Sequence, residues 1–344
     1  MRSEDVDRFR TVTKPSEREW ERIGWNRCWL QSGGFFTRWS DVDTVNRHEL
    51  LDVVSISVAA VLLRNSKLFG ASLSGPSIGE AVSRVDPALD TVRIGGIQDV
   101  TVDTPAGPFR GSYHVSRWNG PDAPTVVYHH GSGENPFATG RFATNSFDRI
   151  FESGDTLSRN PNLIAIRAPF HERSSREYAS AMGSFSNFVG MLATSTAIFE
   201  GIHAHLREWG CEPLIASGTS LGGWVVNLHR AFYGGFDRYV PLLAGANLPS
   251  TFTSSVYRKV VATHSLEEMD SIVDKLDFQD AFVAVDEEDC SPLLARYDRI
   301  IEFDAQRSAY AGLEVGVIDK GHVTGALASD LLRYHIDRSI AKCR

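Results

Sequence analysis

One short stretch, Ser217-Gly218-Thr219-Ser220-Leu221-Gly222-Gly223, limits what this chain can fold into more than any other. The apolar run Pro213-Leu214-Ile215-Ala216 before it reads as a strand. The run Trp224 to Phe232 after it reads as a helix. A strand, a Gly-x-Ser-x-Gly turn and a helix together form the context of a nucleophile elbow. The serine at such a turn has strained backbone angles. Glycines on both sides remove the Cβ atoms that would meet the neighbouring strand and helix. The hydroxyl is then lifted clear, and backbone amides at the helix start face any oxyanion formed beside it. With 29 glycines in 344 residues, chance supplies this pattern in roughly one shuffled chain in four. The serine therefore needs partners elsewhere in the chain.

The surrounding pattern supplies the sheet such an elbow requires. Strand-like segments are expected at Val92-Arg93-Ile94, Val100-Thr101-Val102, Arg110 to Val115, Thr125 to Tyr128, Asn162 to Ile166, Tyr239 to Gly245 and Leu313 to Ile318. Helices are expected over Phe185 to Trp209 and Thr324 to Ile340. Short apolar strands alternating with helices predict an α/β protein with a mostly parallel central sheet covered on both faces. There is no repeat at periods of 20 to 50 residues.

Two regions fall outside that alternation. Residues 1–90 read as an N-terminal helical, aromatic-rich extension packed on the core. They carry Trp20, Trp25, Trp29, Phe35, Phe36 and Trp39, then a helix capped by Asp43 or Thr44 and running to about Asn65. That helix is apolar nearly all round, so it should be buried against something. Residues 246–291 are too long for an ordinary connection. They contain a helical pattern at Leu266 to Leu276 and the acidic run Asp286-Glu287-Glu288-Asp289, and they read as a lid over the site. The catalytic domain is then residues 91–344.

A serine hydroxyl needs a base to act as a nucleophile near neutral pH. His322 follows a strand and a glycine in Gly316-Val317-Ile318-Asp319-Lys320-Gly321-His322, which sets its ring over the sheet edge that carries the elbow. His129 and His130 end an earlier strand and suit the oxyanion loop better. The imidazole in turn needs a carboxylate. Asp298, at the end of the segment Ser291 to Asp298, fits best by position, with Asp289 and Asp304 as rivals. His171 and Arg173 follow the strand before the elbow, on the same edge. Arg173 suits a substrate carboxylate or a surface pair with Glu172 or Glu177.

In this order the residues resemble the α/β-hydrolase superfamily, over roughly residues 91–344. The motifs that carry the resemblance are His130-Gly131-Ser132-Gly133-Glu134, Ala168-Pro169-Phe170, Gly218 to Gly223, and Tyr310 to Val315 running on to Gly321-His322-Val323-Thr324. Within the superfamily the chain is similar to the dienelactone-hydrolase and carboxylesterase-like branch. It looks most like the α/β-hydrolase-domain 18-type proteins. The resemblance implies an α/β-hydrolase fold with Ser220 as nucleophile, His322 as base and Asp298 as the orienting acid. It also implies an oxyanion hole from the amides of Leu221 and Ser132. His130, His171 and Arg173 are expected to contact substrate. The implied partner is a small-molecule acyl ester, thioester or amide, and the implied chemistry needs no metal or organic cofactor. A non-catalytic binding protein and an acyltransferase on the same fold are the alternatives.

Composition narrows the setting. A net charge of -8 and a pI near 5.8 argue against nucleic acid or an anionic membrane as partner. The longest apolar run, Val53 to Leu63, is too short to span a bilayer. The start of the chain lacks an apolar signal core. Cys28, Cys211, Cys290 and Cys343 show no paired spacing and read as isolated thiols in a reducing cytosol. The expectation is a cytoplasmic enzyme, with assembly into a homo-oligomer left open.

Overall fold

The computed structural model describes residues 46–85, 89, 91–138, 145–153, 157–285 and 288–343. The aromatic run from Trp20 to Trp39, Asp43, Thr44, Cys28 and Asp286-Glu287 lie outside the described residues.

The first described helix, α1 (Arg47–Leu62), is capped by Asn46, whose side chain accepts from the His48 amide at 2.9 Å. It is buried against its neighbours along one stripe. Asp52 and Ile56 are its buried residues, while Val61 and Leu62 are 68% and 78% exposed and Val54 and Val58 face outward as well. The helix lies on the outside of the protein, so a neighbour covers only one stripe of it. The residue aimed most fully inward is therefore the one acid in its middle. A short helix, α2 (Ile78–Ser83), follows and buries Ile78, Ala81 and Val82.

The sheet begins with an antiparallel hairpin, β1 (Ile97–Thr104) and β2 (Gly107–Arg117). Val92 to Ile94 form no strand. Instead the Arg93 amide donates to the Tyr113 hydroxyl at 2.9 Å, tying that segment to β2. Next come β3 (Thr125–His129), a π-helical turn (Asp148–Glu152), β4 (Asn162–Arg167), α3 (Ser175–Ala181) and α4 (Phe185–Glu208). They are followed by β5 (Leu214–Thr219), α5 (Leu221–Phe232) and β6 (Arg238–Leu242). The long segment after β6 folds as α6 (Leu248–Thr253), a 3-10 turn (Val256–Val260), α7 (Thr263–Glu267), α8 (Met269–Leu276) and α9 (Gln279–Val283). The chain ends with β7 (Leu293–Ala295), α10 (Phe303–Ala309), β8 (Gly316–Ile318), α11 (His322–Ala326) and α12 (Ser329–Lys342).

The eight strands form one sheet in the order β1-β2-β4-β3-β5-β6-β7-β8. β2 pairs antiparallel with β1 and β4, and all later pairings are parallel. β3, β5 and most of β4 and β6 are buried, as a strand covered on both faces must be. One face packs against α2, α4, α5 and the helices between β6 and β7. The other packs against Phe147, Ile150 and Phe151 at the π-helical turn and Leu332, Ile336 and Ile340 of α12. Each fully buried aliphatic side chain contributes about 1.5–3 kcal/mol. This is the α/β architecture expected from the sequence, a mostly parallel sheet flanked by helices.

Two features position the site. The parallel strands end together, and three consecutive ends hold non-glycine residues at positive φ: Phe170 (70°) after β4, Ser220 (55°) after β5 and Leu243 (53°) after β6. Strain of this kind costs on the order of 1–3 kcal/mol per residue and persists only where the surroundings hold it. Secondly, the segment after α1 is stitched to the helices after β6. Leu68 donates to Val260 O at 2.9 Å and accepts from the Ala262 amide at 3.0 Å, and Lys259 Nζ reaches Ser57 Oγ at 3.1 Å.

Candidate active site

Ser220 sits between β5 and α5 with φ 55° and ψ -111°. The sequence imposes this turn through its glycines. A Cβ on Gly222 would lie 2.2 Å from His129 O, and one on Gly218 would lie 2.5 Å from the Gly222 carbonyl. No side chain fits at either position, so the loop after β3 can close against the elbow. The Ser220 amide donates to Leu242 O at 2.8 Å, which anchors the turn to the end of β6. The Leu221 amide opens α5 directly after the serine.

Ser220 Oγ lies 3.0 Å from His322 Nε2, and His322 Nδ1 lies 2.7 Å from Asp298 Oδ2. Asp298 is buried. Its other oxygen, Oδ1, accepts from the amides of Ile300 (2.8 Å) and Ile301 (2.7 Å). A carboxylate fixed on one side by two amides can present the other oxygen to an imidazole in a single orientation. With Nδ1–H donating to Asp298, Nε2 is the nitrogen free to accept the serine proton. Burial alone would lower the His322 pKa. The charge and hydrogen bond of Asp298, together with the charge of Asp52, outweigh burial and raise it above 6.5.

The two rival acids lie elsewhere. Asp289 precedes β7 at the opposite end of the strands, and its Oδ1 accepts from Arg230 Nε at 2.8 Å. Asp304 is exposed in the first turn of α10.

The loop after β3 borders the elbow. Gly131 is held by Glu134, whose buried carboxylate accepts from the Gly131 amide at 3.3 Å and also binds the amide and hydroxyl of Ser146. Ser132 is exposed, and its hydroxyl lies 2.8 Å from Tyr178 Oη. Tyr257, from the 3-10 turn, also bonds Ser132, and burial raises the pKa of both tyrosines. Nothing in the sequence pattern singled out Tyr178 or Tyr257.

The three residues expected to contact substrate are placed differently. His130 is fully buried. Its Nδ1 donates to Gly131 O (2.6 Å) and its Nε2 accepts from the Ala168 amide (3.0 Å). Burial holds its pKa well below 6.5, so it is a neutral bridge between the loops after β3 and β4 rather than a surface contact. His171 is buried against His130 and Tyr178, with ring centroids 4.5 Å away in both cases. Its Nδ1 donates to Pro169 O, and burial lowers its pKa to about 4. Arg173 is half-exposed, pairs with Glu172 at 3.3 Å and lies over the Phe170 ring. Of the two surface partners considered, Glu172 takes it. Glu177 instead completes a capping box with Ser174 at the start of α3.

One further cluster, Glu200, His203 and His229, brings three ligand-type atoms within 4.8 Å of one another. Hydrogen bonds account for it. Glu200 Oε2 accepts from His203 Nδ1 (3.2 Å) and His229 Nε2 (3.0 Å), and the Tyr239 hydroxyl donates to His229 Nδ1 (3.0 Å). Burial opposes ionisation of Glu200, but the two histidine bonds outweigh it and bring its pKa down to about 2.

No family profile matches the chain, and no curated protein does. Solved structures similar in architecture include TT1662 from Thermus thermophilus, at 15% identity and a TM-score of 0.46, covering 73% of this chain and 100% of that one. The Pyrobaculum calidifontis esterase is similar at 14% identity and a TM-score of 0.42, covering 87% of this chain and 95% of that one. The Pyrococcus horikoshii acylaminoacyl peptidase is similar at 14% identity and a TM-score of 0.47, covering 74% of this chain and 43% of that one. The activities in these names are those proteins' own. Among the described residues, no helix is long and apolar enough to cross a membrane.

Proposed function

We propose that the protein is a serine hydrolase that cleaves an acyl ester, thioester or amide through an acyl-enzyme. The observation that carries this reading is the ordered contact from Ser220 Oγ to His322 Nε2 (3.0 Å) and from His322 Nδ1 to Asp298 Oδ2 (2.7 Å). As Ser220 Oγ attacks the acyl carbonyl, its proton passes to His322 Nε2, and Asp298 stabilises the imidazolium. The carbonyl oxygen becomes an oxyanion facing the amides of Leu221 and Ser132, each such donor being worth about 3 kcal/mol. When the tetrahedral species collapses, His322 returns the proton to the leaving group. Water then attacks the acyl-serine as His322 takes its proton, and the Ser220 Oγ–acyl bond breaks as His322 returns that proton to Oγ, freeing the acid.

In this reading Gly131 and Glu134 hold the oxyanion loop, and buried His130 fixes it to the next strand. The helices from Leu248 to Val283, stitched to the segment after α1, are the proposed lid. The motifs named above support a carboxylesterase-like branch near the α/β-hydrolase-domain 18-type proteins, with a small acyl compound as substrate and the cytoplasm as its setting. The test is hydrolysis of p-nitrophenyl esters of graded chain length by the wild type and by Ser220→Ala. Turnover by the wild type alone supports the reading. Equal turnover by both, or none with any ester, thioester or amide, rejects it.

A further inference from the structure

We propose that Asp52 of α1 is a positioning residue for the base, so that the N-terminal helix completes the acid–base machinery from outside the sheet. This inference rests on the hydrolase reading above. Asp52 is fully buried, although it comes from a helix whose only other buried residue is Ile56. Its Oδ2 accepts from the amides of His322 (2.7 Å) and Arg299 (3.1 Å), and its Oδ1 accepts from the amide of Val323 (2.9 Å). Arg299 follows Asp298 directly. One carboxylate therefore clamps the turn that carries the base to the turn that carries its acid.

The local sequence requires an outside partner here. His322 and Val323 are the first two residues of α11, so their amides have no acceptor within the helix. A serine or aspartate at the preceding position would cap them, but that position is Gly321, which has no side chain. The glycine is itself required by the approach of α1. A Cβ on it would lie 2.7 Å from His48 O and 2.8 Å from Asp52 Oδ2. The base turn thus gives up its own cap and accepts one from a residue 270 positions earlier.

A second contact, one helical turn earlier, points the same way. Thr324 Oγ1 accepts from the Gly321 amide at 2.9 Å and lies 2.8 Å from His48 Nδ1. The His48 ring stacks on Tyr297, next to Asp298, with centroids 6.1 Å apart. His48 and Asp52, four residues apart on α1, so grip both turns. The charged groups facing Asp52 are His322 and Asp298, and those facing His48 are Lys320 and Asp319. An aspartate beside His322 favours the protonated imidazole, so Asp52 affects the proton affinity of the base as well as its position.

The experiment uses the full chain with Asp52→Asn and, separately, Gly321→Ala, which keeps the Asp52 side chain but presses on it and on the His48 carbonyl. The rate at which a fluorophosphonate labels Ser220 is followed against pH, alongside the melting temperature. We expect Asp52→Asn, while folded, to label about tenfold to a hundredfold more slowly at neutral pH, since small displacements of a base cost that much. We also expect its pH midpoint to fall by roughly half a pH unit or more, because a negative neighbour is lost. Gly321→Ala should slow labelling likewise. If Asp52→Asn does not fold, the Gly321→Ala rate decides alone. Folded variants that label at the wild-type rate with an unchanged midpoint overturn the proposal. If wild-type Ser220 does not label at all, the hydrolase reading fails separately. The His322 imidazole titration, followed by NMR in wild type and Asp52→Asn, then decides: a lower midpoint in the variant supports the Asp52 role and an equal one rejects it.

Discussion

Two carboxylates, buried Asp298 and half-buried Asp289, sit near opposite ends of the same strands, and each holds a basic partner. Asp298 meets His322 at 2.7 Å, and Asp289 meets Arg230 at 2.8 Å. Distance does not separate them. The partners do. Arg230 Nε goes to Asp289, and its other nitrogens bond the carbonyls of Phe282 and Val285 at 3.3 Å. A guanidinium keeps its charge at any working pH and has no lone pair to offer a proton. That pair ties α5 to the chain entering β7. His322 uses one nitrogen on Asp298 and turns the other to Ser220. An imidazole bound this way can take a proton and return it. A buried ion pair becomes chemistry when its cation can lose its charge and has a second face aimed at a reacting atom.

The sharpest way to break this comparison is to remove one charge from each pair. Asp298→Asn should lower kcat/KM for an activated ester by about 10⁴-fold, because the amide holds the wrong imidazole tautomer. Its melting temperature should stay close to wild type, since an asparagine carbonyl can still accept from the Ile300 and Ile301 amides. Asp289→Asn should do the reverse. Removing the Asp289 charge from beside the buried Arg230 guanidinium should cost about 1–3 kcal/mol in denaturant unfolding. Its kcat/KM should stay within about twofold of wild type, because the two sites are far apart. If Asp289→Asn abolishes turnover and Asp298→Asn does not, the acid has been assigned to the wrong end of the sheet.

A smaller effect sharpens the same contrast. His322 must be neutral to accept the Ser220 proton, and its pKa is raised above 6.5. Activity should therefore be low in acid and climb as pH rises through a midpoint above 6.5, about tenfold per pH unit well below it. The Asp289 and Arg230 pair should leave no mark on that profile. A midpoint below 6.5 would mean that Asp298 and Asp52 do not hold the proton on His322 as described.

The sequence made some of this legible and hid the rest for physical reasons. β3, β4, β5 and β6 stand out because strands covered on both faces must be apolar throughout. The elbow stands out because Gly218 and Gly222 sit where no side chain fits. Asp298, Asp289 and Asp304 could be ranked only by position, since each follows an apolar run; their partners decide between roles, and those partners are brought in by folding. β7 and β8 have three residues each, too few to show a period. For helix α1, apolar periodicity does not say which stripe will be covered. Val54, Val58 and Val61 point outward, and the one feature that mattered was the buried acid, Asp52, among them. His130 and His171 looked like substrate contacts because they lie on the right edge of the sheet, but both are buried beneath it.

The most direct test of the central claim is to treat the folded full-length protein with a fluorophosphonate and identify the modified residue by peptide mass spectrometry. The account predicts a single adduct on Ser220, formed faster as pH rises through the His322 midpoint and lost in His322→Ala. A folded protein whose Ser220 stays unmodified, or is modified just as fast without His322, would contradict it.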